Sequence, residues 1–274
     1  MPDFKSTDGT RLHYRDWGVG LPVILLHGNN VDSRFWEHQI TTLAERGCRT
    51  IVPDRRGHGR SEYVAHGYDY DTYASDLAAL LEHADVRDAT LVGHSTGANT
   101  IARCLARYGT ARVAAAVLVA MVSPVPIPPQ DRGAVEASQQ IIDAMISDRP
   151  KYFASLKDPF FGAGASKELM DAVIAQTFEI PLEVAVVTAR VLLDPRSDNR
   201  DDLRAFTIPT LIVHGDNDTF SPFENSGHVA HRAIPGSRLL LYEGASHGLT
   251  IAEAGRFTSD LLAFVESTCA LARI

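Results

Sequence analysis

The sequence predicts an α/β fold: a mostly parallel sheet covered by helices on both faces and interrupted by a helical insert. Three observations carry that expectation. Short apolar runs of strand length alternate with segments of helical spacing through the first 120 residues. The alternation stops after Ser123 and resumes at Thr210. Between these points the spacing is helical and no strand signal occurs. Strand–helix–strand succession implies right-handed parallel crossovers.

Taken in order, Phe4 to Trp17 reads as a hairpin, with the polar turn Thr7-Asp8-Gly9-Thr10 between two short alternating runs. Pro22 to His27 is apolar almost throughout, which suits a strand buried on both faces, and Gly28-Asn29-Asn30 ends it. Phe35, Trp36, Ile40 and Leu43 have helical spacing, and a strand follows from Arg49 to Pro53. Asp54 to Ser61 is basic and glycine-rich but lacks the Lys-Ser/Thr ending of a phosphate-binding loop. It reads as a tight loop bracing the core, with Asp54 and the arginines in local polar contacts and no catalytic role for His58. A helix from about Asp71 to Ala84 leads to the strand Ala89 to Gly93. Ile101, Leu105 and Tyr108 mark the next helix, and Val113 to Ala120 is a nearly continuous apolar strand.

Ser123-Pro124-Val125-Pro126-Ile127-Pro128-Pro129 is a stiff linker through which a helix cannot propagate. Helix-like segments then run over about 133–147, 166–178 and 182–192. The last part brings a strand at Thr210 to Gly215, a helix near Phe223 to Ala233, a strand at Arg238 to Tyr242 and a closing helix over about 250–271. The expected organisation is a core of 1–123 and 204–274 carrying a helical cap, 124–203.

Composition narrows the class. The 274 residues carry a net charge of -8, which disfavours nucleic acid and anionic membranes as partners and fits a largely neutral substrate. The N-terminus is too polar for a secretory signal, and no apolar run approaches the ~20 residues that cross a bilayer. Cys48, Cys104 and Cys269 are odd in number and scattered, as expected of thiols in a reducing cytoplasm. No Cys/His spacing resembles a zinc site, so neither metal nor cofactor is expected.

The chemistry centres on Gly93-His94-Ser95-Thr96-Gly97, which falls between a strand and a helix. A nucleophile on so tight a turn sits in a strained backbone, needs small flanking residues, and projects its hydroxyl above the sheet's carboxyl edge. The Thr96 N–H then lies at a helix N-terminus, placed to meet an oxyanion. A serine hydroxyl needs a base. His247, in Gly244-Ala245-Ser246-His247-Gly248, is the sole histidine after the final strand. The acid is expected after the preceding core strand, where Asp216 and Asp218 both stand. Asp218 lies further up the loop and is favoured, whereas Asp216 is better placed to bond the backbone of its own turn. The second oxyanion donor is the N–H of Asn29, with Asn30 adding a side-chain contact. Tyr152, Phe153, Phe160 and Phe161 either line an apolar pocket over Ser95 or form the cap's own small core.

These residues, with Asp54-Arg-Arg-Gly-His-Gly-Arg-Ser61, Tyr70-Asp71-Thr72-Tyr73, Ala106-Arg-Tyr-Gly-Thr-Ala-Arg-Val113 and Pro222-Phe223-Glu224-Asn225, carry a resemblance to the α/β-hydrolase superfamily. More narrowly, the chain resembles its cofactor-free bacterial haloperoxidase and aryl-esterase group. The resemblance implies a Ser95–Asp218–His247 triad with oxyanion donors at Asn29 and Thr96. Members of that group hydrolyse esters, and some convert carboxylic acids with peroxide into peracids. The group usually has an aromatic residue where Asn29 stands, often proline where Asn30 stands, and methionine where Thr96 stands. The His-Gly-Asn start also resembles some acyl-homoserine lactone hydrolases.

The expectation is a serine hydrolase of a small ester or lactone, possible as a homo-oligomer. Its competitors are perhydrolase chemistry, carbon–carbon or cyanohydrin cleavage on the same triad, and a ligand-binding member of the fold without turnover.

Overall fold

The computed structural model describes residues 2–271, with side chains to 268. Strands β1 (Asp3–Lys5) and β2 (Arg11–Gly18) form the hairpin, closed by hydrogen bonds between Ser6 and both Gly9 and Thr10. Then come β3 (Leu21–Leu26), a 3-10 turn at Ser33–Trp36 running into α1 (Glu37–Glu45), β4 (Cys48–Pro53) and α2 (Tyr70–His83). The central strand β5 (Ala89–His94), α3 (Thr96–Tyr108) and β6 (Val113–Val119) follow.

Between β6 and β7 lie α4 (Arg132–Ser147), α5 (Arg149–Ser155), α6 (Lys157–Phe161), α7 (Lys167–Glu179), α8 (Leu182–Ala189) and α9 (Arg200–Arg204). The chain closes through β7 (Thr210–Gly215), α10 (Gly227–Ala233), β8 (Arg238–Tyr242), α11 (Leu249–Ala252) and α12 (Ala254–Leu271). Spacing alone leaves 148–165 without an element, yet α5 and α6 form there. Their signals are local: the Asp148 carboxylate caps α5 by accepting from the Lys151 amide, and Pro150 sits in its first turn. The expected closing helix is also broken at Glu253, and the one expected at 223–233 is interrupted at Ser226.

The eight strands lie in the order β1-β2-β4-β3-β5-β6-β7-β8. The first two pairings, β1–β2 and β2–β4, are antiparallel and the other five are parallel. Side chains alternate across the sheet, so each central strand feeds two cores. Ile24, Leu26, Leu91 and Ile212 pack with Leu77 and Leu80 of α2 and Ile101 and Leu105 of α3. Val23, Leu25, Val92 and Val213 face the other way, onto Leu43 of α1 and Phe257 and Leu261 of α12. Each such leucine contributes roughly 2 kcal/mol on burial, which is why these strands read as unbroken apolar runs. Within the insert, Ile142, Met145, Phe153 and Ala185 form a separate small core.

Cys48 and Cys104 are buried, while the side chain of Cys269 lies outside the described residues. Among the described residues no single helix is long and apolar enough to cross a membrane. Because β3, β5, β6, β7 and β8 run parallel, their carboxyl ends share one edge. Gly28, Ser95 and the loops after β7 and β8 all open there.

Candidate active site

Ser95 occupies the turn between β5 and α3 with φ 54° and ψ -125°, a conformation that non-glycine residues rarely adopt. The flanking glycines make that turn possible. A Cβ on Gly93 would stand 2.6 Å from the amide of Ala98, and one on Gly97 would stand 2.6 Å from the carbonyl of Leu26. The Ser95 amide donates to Val119 on β6 at 2.9 Å, which anchors the turn to the sheet.

A continuous chain of hydrogen bonds runs from the serine. Ser95 Oγ lies 3.0 Å from His247 Nε2, and His247 Nδ1 lies 2.7 Å from Asp218 Oδ2. All three residues are buried. The other carboxylate oxygen, Oδ1, accepts from the amides of Phe220 and Ser221 at 3.0 and 2.8 Å, so the acid is fixed from both sides. Burial alone would raise the Asp218 carboxyl, but His247 and the Ser221 amide outweigh it and hold the group below the ordinary carboxylate range. Asp216 is exposed, and its carboxylate accepts from the Gly244 amide at 2.6 Å. It braces the neighbouring loop rather than its own turn and does not meet His247.

Two further histidines frame the chain. His94 Nε2 lies 2.9 Å from the His247 carbonyl, and the two rings sit 4.9 Å apart. Burial, and next the proximity of His247, push the His94 imidazole down to about 3. His214 lies 3.4 Å from Asp218 Oδ2 and 2.8 Å from the Ser221 carbonyl, and burial pushes it down as well. Phe220 stacks on His247 with ring centroids 5.3 Å apart, and Phe160 meets it edge-on at 5.5 Å.

Asn29 and Thr96 stand side by side. Their side chains bond each other, Thr96 Oγ1 donating to Asn29 Oδ1 at 3.1 Å, and Arg55 Nη1 donates to both. Arg55 therefore makes contacts well outside its own loop, contrary to the local role expected of it. Asn30 adopts a left-handed φ of 62°, which asparagine tolerates better than most residues.

A cavity of about 170 Å³ opens over Ser95 and His247. Asn30, Tyr152, Phe153, Phe160 and Phe161 all line it, so the two alternatives for the aromatics merge: Phe153 also belongs to the insert's own core. Val31, Leu156, Val173, Ile174, Thr177 and Phe220 also line the cavity and were not singled out from the sequence. The walls are mainly aliphatic and aromatic, with polar groups concentrated at Ser95, Asn29 and Asn30. A wider surface cleft of about 410 Å³, lined by His66, Asp69, Arg190 and Arg196 among others, touches none of these residues and is more open. Among the described residues no cluster of three or more His, Cys, Asp or Glu is arranged to hold a metal ion.

A serine on a strained strand-to-helix turn, linked through histidine to aspartate across the ends of β5, β7 and β8, defines an α/β hydrolase. Comparison with known proteins agrees: residues 23–260 match the model of the alpha/beta hydrolase family, and the chain belongs to that family. It is 38% identical to a non-heme haloperoxidase of Rhodococcus erythropolis over 274 residues, spanning 97% of this chain and 100% of that protein. It is 32% identical to a bifunctional esterase/perhydrolase of Acinetobacter calcoaceticus, spanning 96% of this chain and 98% of the relative. An esterase from Exiguobacterium antarcticum has the same fold with a TM-score of 0.90 at 31% identity, over 96% of this chain and 98% of that one. The chain thus resembles the cofactor-free haloperoxidase and esterase group.

Proposed function

We propose that this hydrolase cleaves carboxylic esters or lactones of small, largely neutral substrates through an acyl-enzyme on Ser95. The observation that carries the reading is the Ser95–His247–Asp218 hydrogen-bond chain beneath a mainly apolar cavity of about 170 Å³. His247 Nε2 takes the Ser95 proton as Oγ bonds to the carbonyl carbon, and Asp218 holds the imidazole in the tautomer with Nδ1 protonated. The carbonyl oxygen becomes an alkoxide facing the amides of Asn29 and Thr96, each worth on the order of 3 kcal/mol to the transition state when aligned. Collapse expels the alcohol, which leaves with the proton from Nε2. Water then attacks the acyl-enzyme, gives its proton to His247, and the acid departs as that proton returns to Ser95.

The same assignment treats 124–203 as a cap over the core of 1–123 and 204–274, with Phe153, Phe160 and Phe161 contributing from the cap to substrate choice. The bifunctional relative named above supports a second reading, in which peroxide competes with water at the acyl-enzyme.

The test is turnover of p-nitrophenyl esters from acetate to octanoate by wild type and Ser95→Ala, with and without hydrogen peroxide. Turnover that is lost in Ser95→Ala is expected, and peracid in the peroxide arm would add the second reading. Activity that persists in Ser95→Ala would remove the nucleophile assignment.

A further inference from the structure

We infer that Arg55 is a positioning residue for the oxyanion donors, its buried guanidinium clamping together the side chains of Asn29 and Thr96. The inference rests on the ester-hydrolase reading above and deepens it at the same site.

The clamp is a closed triangle. Arg55 Nη1 donates to Thr96 Oγ1 at 2.8 Å and to Asn29 Oδ1 at 3.1 Å, and Thr96 Oγ1 donates to Asn29 Oδ1 at 3.1 Å. Asn29 Nδ2 continues the network to the Thr188 carbonyl on α8 at 3.2 Å. The Arg55 backbone is itself fixed, since its amide donates to His27 Nε2 at 3.0 Å. Asn29 follows β3 and Thr96 opens α3 after β5, so the clamp sets the spacing between two loops that approach the serine from different strands. Donor placement has to hold within roughly 0.5 Å to be effective.

The charge is the second half of the argument. Arg55 is 6% exposed, and its Nε and Nη2 have no hydrogen-bond partner among the described residues. Its neighbour Arg56 is paired with Asp76 at 2.7 Å and Asp8 at 2.9 Å, whereas no carboxylate among the described residues pairs with Arg55. Around it stand the Tyr73 ring, 3.7 Å from the guanidinium carbon, and His27, kept neutral mainly by burial. A buried guanidinium with no counter-charge is costly in the resting protein. That cost is offset when negative charge develops nearby, which here happens as the carbonyl oxygen becomes an oxyanion between Asn29 and Thr96.

The experiment measures kcat and KM on the best p-nitrophenyl ester for Arg55→Met, Arg55→Lys, Thr96→Val and the Arg55→Met/Thr96→Val pair. It also measures inhibition by an alkyl boronic acid, whose tetrahedral adduct on Ser95 presents an oxygen where the oxyanion forms. Arg55→Met is expected to lose ~10- to 100-fold in kcat with KM within about twofold, somewhat below the loss of a direct donor. Boronate affinity should fall by the same factor, and Arg55→Lys should recover part of both. The double variant should lose little more than the worse single, because the two residues act as one unit.

A folded Arg55→Met with kcat and boronate affinity near wild type would overturn the clamp. So would a kcat loss that the boronate does not share. If Arg55→Met does not fold, Thr96→Val decides: unchanged kcat and boronate affinity there overturn the clamp equally. Absence of ester turnover in wild type would instead overturn the hydrolase reading beneath it, so the two failures are distinct.

Discussion

The amide of Gly248 donates a 2.7 Å hydrogen bond to the carbonyl of Phe160, tying the turn that carries His247 to α6 of the insert. The contact is close because residue 248 has no side chain. A Cβ there would stand 2.6 and 2.7 Å from the Phe160 ring and 2.9 Å from its carbonyl oxygen. The φ of Gly248 is -84°, so the demand is for space and not for a special backbone angle.

Gly248→Ala should therefore move Phe160, and with it the ring that meets His247 edge-on. Overpacking of this kind costs roughly 1–3 kcal/mol. The expected outcome is a lower melting temperature together with a kcat reduced by ~10-fold or more. Steady-state kinetics beside thermal unfolding checks it, and wild-type values for both would show that α6 and the His247 turn are not coupled.

The two aspartates after β7 separate by their partners. Asp218→Asn keeps the shape but offers the wrong tautomer to His247, and loss of this role costs on the order of 10⁴ in kcat in the serine-protease case. Asp216→Asn removes a carboxylate that accepts from the Gly244 amide at an exposed site. It should cost about 1 kcal/mol of stability or less and leave kcat within a few fold. Comparable kcat losses in both variants would contradict the assignment of Asp218.

The strands and the tight turn at Ser95 were legible in the sequence because they depend on neighbours along the chain. Val23 to Leu26 and Ala115 to Val119 are buried on both faces, so their apolar runs are unbroken, and Gly93 and Gly97 are dictated by local close approach. Arg55 was legible as a residue but not in its contacts. It stands at the start of the loop that follows β4, and in the sheet order β4-β3-β5 its side chain spans past β3 to the start of α3. That order is a tertiary fact with no trace in spacing. The short α5 and α6 escaped for another reason. Phe153 packs into the insert's own core, Phe160 and Phe161 pack against the core beside α1 and α12, and all three also line the cavity, which erases a one-sided helical period.

Stability should fall as pH falls through the histidine range. Burial pushes His27 and His94 down to about 3, and His58 and His214 also lie below the ordinary 6.5. Below pH 6.5 the unfolded chain takes up protons that these folded imidazoles do not, so stability declines with falling pH. Each group contributes up to ~1.4 kcal/mol per pH unit. Burial raises Asp54 and Asp76, which acts in the opposite sense and flattens the curve at its acid end. Denaturant unfolding at pH 7.5, 6.5 and 5.5 should show a loss of ~2–4 kcal/mol over the last step. A midpoint that stays level to pH 5.5 would contradict four buried neutral histidines.

Phe153 offers the most direct control over chain length. It lines the cavity yet packs with Ile142, Met145 and Ala185, with Tyr152 edge-on at 5.1 Å. Phe153→Ala would open the cavity but leave a void in so small a core, costing roughly 3–5 kcal/mol. Phe153→Leu removes less volume and keeps the apolar surface, so the insert should remain folded. The cavity of about 170 Å³ would then lengthen on the side lined by α5, and the preferred acyl chain should shift by one or two carbons, each methylene being worth ~1 kcal/mol when buried. The ratio of kcat/KM for octanoate over butyrate, compared with wild type, reads this out. A rise of ~5- to 30-fold is expected, since one to two methylenes at that value correspond to such a factor. An unchanged ratio in a folded variant would mean that the acyl chain runs along Val173 and Ile174 of α7 instead, and the corresponding substitutions there should then carry the shift.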